Sequence, residues 1–151
     1  MLEIQRLLVP VDFSGFSDGT VKFAAAVAAN FNAEMIIFHA ISEDEVEKIA
    51  ESRVPRYPID MIYADMETEL ATHVGKLVTP SELEGLRIRY AVSSGTAARE
   101  IVEAAKLHKV DLIVMATHGR TGLSHVLMGS IAEQVMRLAG CPVLTIKSPR
   151  A

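Results

Sequence analysis

Residues 112–137, LIVMATHGRTGLSHVLMGSIAEQVMR, hold the side chains and spacings best suited to chemistry. An apolar run, Leu112-Ile113-Val114-Met115, is short and β-rich enough for a buried strand. A small-residue loop follows: Ala116, Thr117, His118, Gly119, Arg120, Thr121 and Gly122. From Gly129-Ser130 onward, Ile131, Val135 and Leu138 fall at helical spacing. Strand, glycine-containing loop and helix N-terminus in that order make an anion site. The first amides of a helix have no internal acceptor, and the helix dipole puts partial positive charge there. Gly119 and Gly122 can take positive φ and let oxyanions approach backbone N–H groups. Ser130 and Glu133 match the S-x-x-E pattern of a capping box, which makes Ser130 the expected N-cap. Its hydroxyl can cap the helix, donate to a bound anion, or do both.

Positioning such a loop requires a sheet. Leu7-Leu8-Val9-Pro10-Val11 reads as a first buried strand, with Asp12-Phe13-Ser14 as the turn at its end. Ser17-Asp18 precede a helix whose Val21, Ala24, Ala25, Ala28 and Phe31 share one face. Met35-Ile36-Ile37-Phe38 is a second strand ending at His39-Ala40, and the short joins imply parallel pairing. Residues 43–85 are read as a two-helix crossover or as a lid. Glu43–Glu51 carries Val46, Ile49 and Ala50; a longer helix over 59–79 carries Ile59, Ile62, Met66, Leu70, Val74 and Leu77, and Pro80 and Gly85 end it. Residues 86–92 alternate apolar and polar, as a half-buried strand near a sheet edge does. Gly95-Thr96 lead into a helix with Ala98, Ile101, Val102 and Ala105 inward. Val143–Ile146 is the fifth strand, with Pro142 as its first residue. The βαβαβαβαβ order predicts a doubly wound α/β sheet spanning residues 1–151 as one domain. The first and fourth strands read as central. If they are neighbours, they flank the switch point, and the crevice beyond their C-terminal ends is the expected ligand site.

Composition narrows the function. The 151 residues carry a net charge of −4, which argues against a nucleic-acid-binding surface. A single cysteine, Cys141, rules out an internal disulfide and reads as a small hydrophobe. Met115, Met128 and Met136 are expected in the core. The N-terminal residues lack the pattern of a signal peptide, and no apolar run reaches transmembrane length, so a cytoplasmic protein without membrane contact is expected. His118 and His125 belong to no recognisable metal-ligand set. Walker, dinucleotide-fingerprint and nucleophile-elbow motifs are missing from the sequence. No dedicated base to orient a hydrolytic water stands out, so fast ATP turnover is not expected, and the protein reads as a non-enzyme.

Across its whole length the chain resembles the universal stress proteins. ATP-binding members of that family carry G-x2-G-x9-G-[S/T] after the fourth strand. Here the matching positions are Ala116, Gly119, Gly129 and Ser130, with nine residues between Gly119 and Gly129. Ala116 replaces the first glycine. Pro10-Val11-Asp12-Phe13-Ser14 and Cys141-Pro142-Val143 also resemble the family. The resemblance implies a Rossmann-like, open parallel five-stranded sheet in order 3-2-1-4-5, with helices on both faces. It implies ATP across the ends of the first and fourth strands. Pro10, Asp12 and Ala40 would line the adenosine side; Ala116, Thr117, His118, Gly119, Arg120, Thr121, Gly122, Gly129, Ser130, Ile131 and Ala132 would hold ribose and phosphates. A homodimer through Val143–Ile146 is implied as well, and an edge strand with free backbone groups favours such pairing.

Three points stay open on the residues alone. If position 116 needs positive φ, alanine costs about 1–2 kcal/mol there; if it needs only closeness, the methyl is a small intrusion. Asp12 beside a triphosphate is repulsive, unless it bonds a ribose hydroxyl or shares a Mg²⁺ with the phosphates. Arg120 either neutralises phosphate charge or is solvated. The leading reading is an ATP-binding stress protein whose occupancy is a signal. The alternatives are a nucleotide-free interaction module of the same fold and a slow ATP hydrolase.

Overall fold

The computed structural model describes residues 2–118 and 128–147. Strands β1 (Arg6–Pro10), β2 (Glu34–Ile41), β3 (Arg87–Ser94), β4 (Leu112–Ala116) and β5 (Val143–Ile146) form one sheet in the order β3-β2-β1-β4-β5. All its neighbouring strands run parallel. Between the strands run α1 (Gly15–Phe31), α2 (Glu43–Glu51), α3 (Ile59–Leu77), α4 (Pro80–Leu83), α5 (Ala97–Leu107) and α6 (Ser130–Leu138). No described helix is long and apolar enough to cross a membrane.

The apolar runs of the central strands follow from burial on both faces. Side chains alternate across a strand. Leu7, Val9, Met35, Ile37 and Val114 pack on one face with Val21, Ala24 and Ala28 of α1 and Leu70 and Val74 of α3. Leu8, Ile36, Phe38, Ile113 and Met115 pack on the other, with Ala98, Ile101 and Ala105 of α5 and Ala132 and Val135 of α6. β3 is half-buried, as an edge strand with alternating side chains should be.

Several boundaries and faces differ from the sequence expectation. α1 begins at Gly15 with Ser14 as N-cap, so Ser17 and Asp18 lie inside the helix instead of before it. Phe31 and Ile59, expected inward, are largely exposed. Phe31 is the last residue of α1 and Ile59 the first of α3, so each has helix neighbours on one side only. Met136, expected in the core, is exposed on α6, whereas Met115 is buried and Met128 packs partly buried. Pro80 does not stop a helix; α3 ends at Leu77, and Pro80 occupies the first turn of α4, where its missing N–H is tolerated. Pro142 lies one residue before β5, and its carbonyl accepts from Ile113 N–H at 3.0 Å. Of the two readings of residues 43–85, the packed crossover is the one observed. α2 and α3 close a small core of Ile41, Val46, Ala50 and Ile62, while Leu70 and Val74 anchor α3 in the main core.

Candidate functional site

In a parallel sheet with right-handed crossovers, strand C-termini and the following helix N-termini share one edge. β1 is hydrogen-bonded to β2 on one side and β4 on the other, and the chain moves outward in opposite directions from it. That switch point opens a cavity of about 330 Å³. β1 contributes Pro10, with Val11 and Asp12 just beyond it. β2 contributes Phe38, His39 and Ala40, and the α2 N-terminus adds Ser42 and Glu45. β4 and its exit contribute Met115, Ala116, Thr117 and His118. Gly129, Ser130, Ile131 and Ala132 come from the α6 N-terminus, and Ser17, Ala97 and Ile101 from α1 and α5.

The turn after β1 is held by its own side chains. Asp12 Oδ1 accepts from Ser14 N–H at 3.0 Å and from Ser14 Oγ at 2.5 Å. Ser14 therefore spends its hydroxyl on Asp12 and leaves α1 without a side-chain cap. Phe13, between them, has φ 62°, a costly conformation for a non-glycine residue. Its ring meets His39 edge-on at 5.0 Å and His73 at 5.3 Å, which fixes it in place. His39 is buried, and its Nδ1–H donates to the Val11 carbonyl at 2.7 Å. The cleft floor is thus braced from β2 to β1.

Opposite, the neck of the β4–α6 connection is closed by backbone bonds. Gly129 N–H donates to Thr117 O at 2.6 Å, and Thr117 N–H donates to Ile146 O at 3.0 Å. The structure corrects the expected cap: Gly129, with φ −69°, is the N-cap of α6, and Ser130 is its first helical residue. Glu133 does not reach back; its carboxylate pairs with Arg137 one turn on, at 3.0 Å. Gly129 has no side chain to cap this helix, and among the described residues no side chain is hydrogen-bonded to the amides of its first turn, which borders the cleft. The real reciprocal cap is at α4, where Thr79 and Glu82 satisfy each other's backbone N–H groups.

Of the residues singled out in the sequence, Pro10, Asp12, Ala40, Ala116, Thr117, His118, Gly129, Ser130, Ile131 and Ala132 all line this one cavity. Gly119, Arg120, Thr121 and Gly122 lie outside the described residues. Sequence reading missed His39, Ser42 and Glu45. A buried histidine at a strand end gave no periodic signal, but Ser42 and Glu45 form an S-x-x-E pattern that was readable. Ser42 Oγ does accept from Glu45 N–H, at 3.2 Å. Cys141 is half-buried, and burial pushes its thiol pKa up, away from nucleophilic use.

An open parallel α/β sheet with a cleft at its switch point is the class of protein that takes ligands there. The chain belongs to the universal stress protein family, whose sequence model matches residues 3–147. It is similar to the universal stress protein MJ0531 of Methanocaldococcus jannaschii, 33% identical over 147 residues, covering 97% of this chain and 84% of that protein. MJ0577 of the same organism is 29% identical over 95% of this chain and 94% of its own length. A solved structure of MJ0577 superposes with a TM-score of 0.76, covering 99% of this chain and 100% of that one. A universal stress protein solved in complex with cAMP shares the fold, with a TM-score of 0.64 over 98% of this chain and 100% of that one, at 23% identity.

Proposed function

We propose that the cleft binds an adenine nucleotide, ATP in the first instance, and that its occupancy is a signal in a stress response. The observation that carries this reading is the first turn of α6, which no side chain among the described residues caps, in the lining of a cavity of about 330 Å³. Such a volume suits a small organic ligand, and free helix amides suit its anionic end. On the far side of β1 from α6 the cleft offers the Glu45 carboxylate, with Asp12 between them beyond β1; carboxylates accept from donors such as sugar hydroxyls and base amines. A nucleotide has this polarity. Proteins of the same fold have been solved with adenine nucleotides, one with cAMP and one from Archaeoglobus fulgidus with dAMP. At 23% and 20% identity those two are alike in fold, so the ligand argument rests on the cleft.

In this reading Pro10 and Ala40 line the base and sugar, and Asp12 accepts from a ribose hydroxyl. Ala116, Thr117, His118, Gly129, Ser130, Ile131 and Ala132 hold ribose and phosphates, with Gly119, Arg120, Thr121 and Gly122 added by the motif. Among the described residues no group of three acids, histidines or cysteines is set to hold a metal. A Mg²⁺ would therefore depend on the nucleotide's own oxygens, with Asp12 beside them. Calorimetry with ATP at millimolar concentration is expected to show saturable binding that weakens when Mg²⁺ is chelated. No heat of binding, together with no nucleotide released on denaturing freshly purified protein, overturns the reading in favour of an interaction module. Phosphate release above background, lost in Ser130→Ala, favours the slow hydrolase.

The proposed assembly is a homodimer through β5. This strand is a sheet edge, and Leu144 on it and Ile131, Met136 and Leu138 on α6 expose apolar surface. Light scattering is expected to give twice the 16.4 kDa chain mass, and Leu144→Arg is expected to shift it to the monomer. A monomeric mass for the unaltered protein defeats the proposal.

A further inference from the structure

The strand order places the α6 N-terminus beyond β4 and the α2 N-terminus beyond β2, on opposite sides of β1. Two strand spacings separate them, about 10 Å, roughly the reach of a nucleoside. If phosphates sit on α6, whatever the ligand presents at the far end meets Ser42 and Glu45. Ser42 Oγ accepts from the Glu45 backbone N–H at 3.2 Å. The Glu45 carboxylate is half-buried and makes no hydrogen bond or ion pair with any described residue. Its neighbours on the same turn, Glu43 and Asp44, are exposed and do not line the cavity. An ionised carboxylate accepts and cannot donate. A base edge that offers an amino group is matched there; one that offers a carbonyl oxygen sets two acceptors against each other, and a partly desolvated mismatch of that kind is costly.

We propose that Glu45 is the base-selecting residue of the cleft: its carboxylate accepts a hydrogen bond from the 6-amino group of adenine and rejects a purine with a carbonyl oxygen at that position. The proposal rests on the nucleotide reading above. ATP and ITP test it, because they share ribose and triphosphate and differ at this one group. Titration calorimetry of the unaltered protein is expected to show ATP bound roughly tenfold or more tighter than ITP, the ratio of one hydrogen bond to a charged acceptor. Glu45→Ala is expected to weaken ATP several-fold and to strengthen ITP, by removing the opposed acceptor, so that the ratio falls toward one. Glu45→Gln, whose amide can donate to the carbonyl, is expected to narrow the ratio by improving ITP. Binding of both triphosphates with equal affinity by the unaltered protein overturns the proposal and leaves the nucleotide reading standing. So does a ratio unchanged in both variants, or an equal rise in affinity for both nucleotides, which makes Glu45 only a charge that repels phosphates. Binding of neither removes both claims.

Discussion

Ala116 stands where the ATP-binding motif has glycine, and its backbone decides what the methyl costs. The residue ends β4 and pairs with Ile146, and it is not among the positive-φ residues, which among the described residues outside glycine are Phe13, Asn32 and Lys109. Of the two sequence-level alternatives, strain is therefore excluded and only the methyl's volume remains. Ala116→Gly is expected to lower stability by about 0.5–1 kcal/mol, the cost of a strand glycine, while ATP affinity changes by no more than a few-fold. Ala116→Val, which enlarges the side chain into the cleft, is expected to weaken ATP strongly with little loss of stability. Denaturant melts and calorimetry on the same two variants separate these effects. Gly129 gives a parallel lesson. At φ −69° it adopts a backbone open to any residue, so its value as N-cap lies in leaving the amides of α6 without a competing side chain.

At the scale of elements, the cleft depends on how the loops beyond β2 and β3 are clamped. Gly95 follows β3 directly, at φ 146°, its N–H donating to Ile41 O at 3.0 Å. A Cβ there would lie 2.6 Å from Glu100 Oε1. That carboxylate cannot yield freely, because its Oε2 accepts from Ser93 Oγ at 2.8 Å. Gly95→Ala is expected to destabilise by about 1–3 kcal/mol, measured by thermal or urea unfolding, since this backbone region is nearly closed to side chains. Substitution without measurable loss contradicts the argument. The elements themselves were largely readable. α2, α3 and α5 show their apolar spacing openly, with Val46, Ala50, Ile62, Leu70, Val74, Ile101 and Ala105 buried. Capping was not. The S-x-x-E pattern occurs at Ser42, and as T-x-x-E at Thr79, where it acts as a cap; at Ser130 the same letters form an i, i+4 ion pair with Arg137 instead. Which of these forms depends on where the helix starts, and packing of Ala132 and Val135 onto the sheet sets that start.

For the whole molecule, acid sensitivity has an identifiable contributor. Burial at the end of α5 lowers the His108 pKa from its ordinary 6.5, and the nearby Arg89 guanidinium adds to this. In the window below that ordinary value the unfolded chain takes up a proton that the folded one resists, so folding stability falls as pH drops. The folded protein is expected to melt at progressively lower temperature as pH falls from about 7 toward 5, with a shallower decline in His108→Gln. Parallel pH–Tm profiles for the two proteins remove His108 from the account.

The fold and most of the cleft were legible in the chain because both rest on local periodicity and on chain order. Apolar runs that are buried on both faces mark the central strands, alternating ones mark an edge, and parallel crossovers oblige every strand end and helix start to meet along one rim. Ala116, Gly129 and Ser130 could be placed on that rim from their spacing alone. What needed tertiary structure was everything decided by neighbours distant in sequence. His39 reaches the cleft wall through its bond to Val11, 28 residues away, and Glu45 reaches it because β2 happens to flank β1. Whether Ser130 caps a helix, whether Ala116 is strained, and which carboxylate stands opposite the α6 amides are set by packing geometry, which no spacing of letters along the chain records.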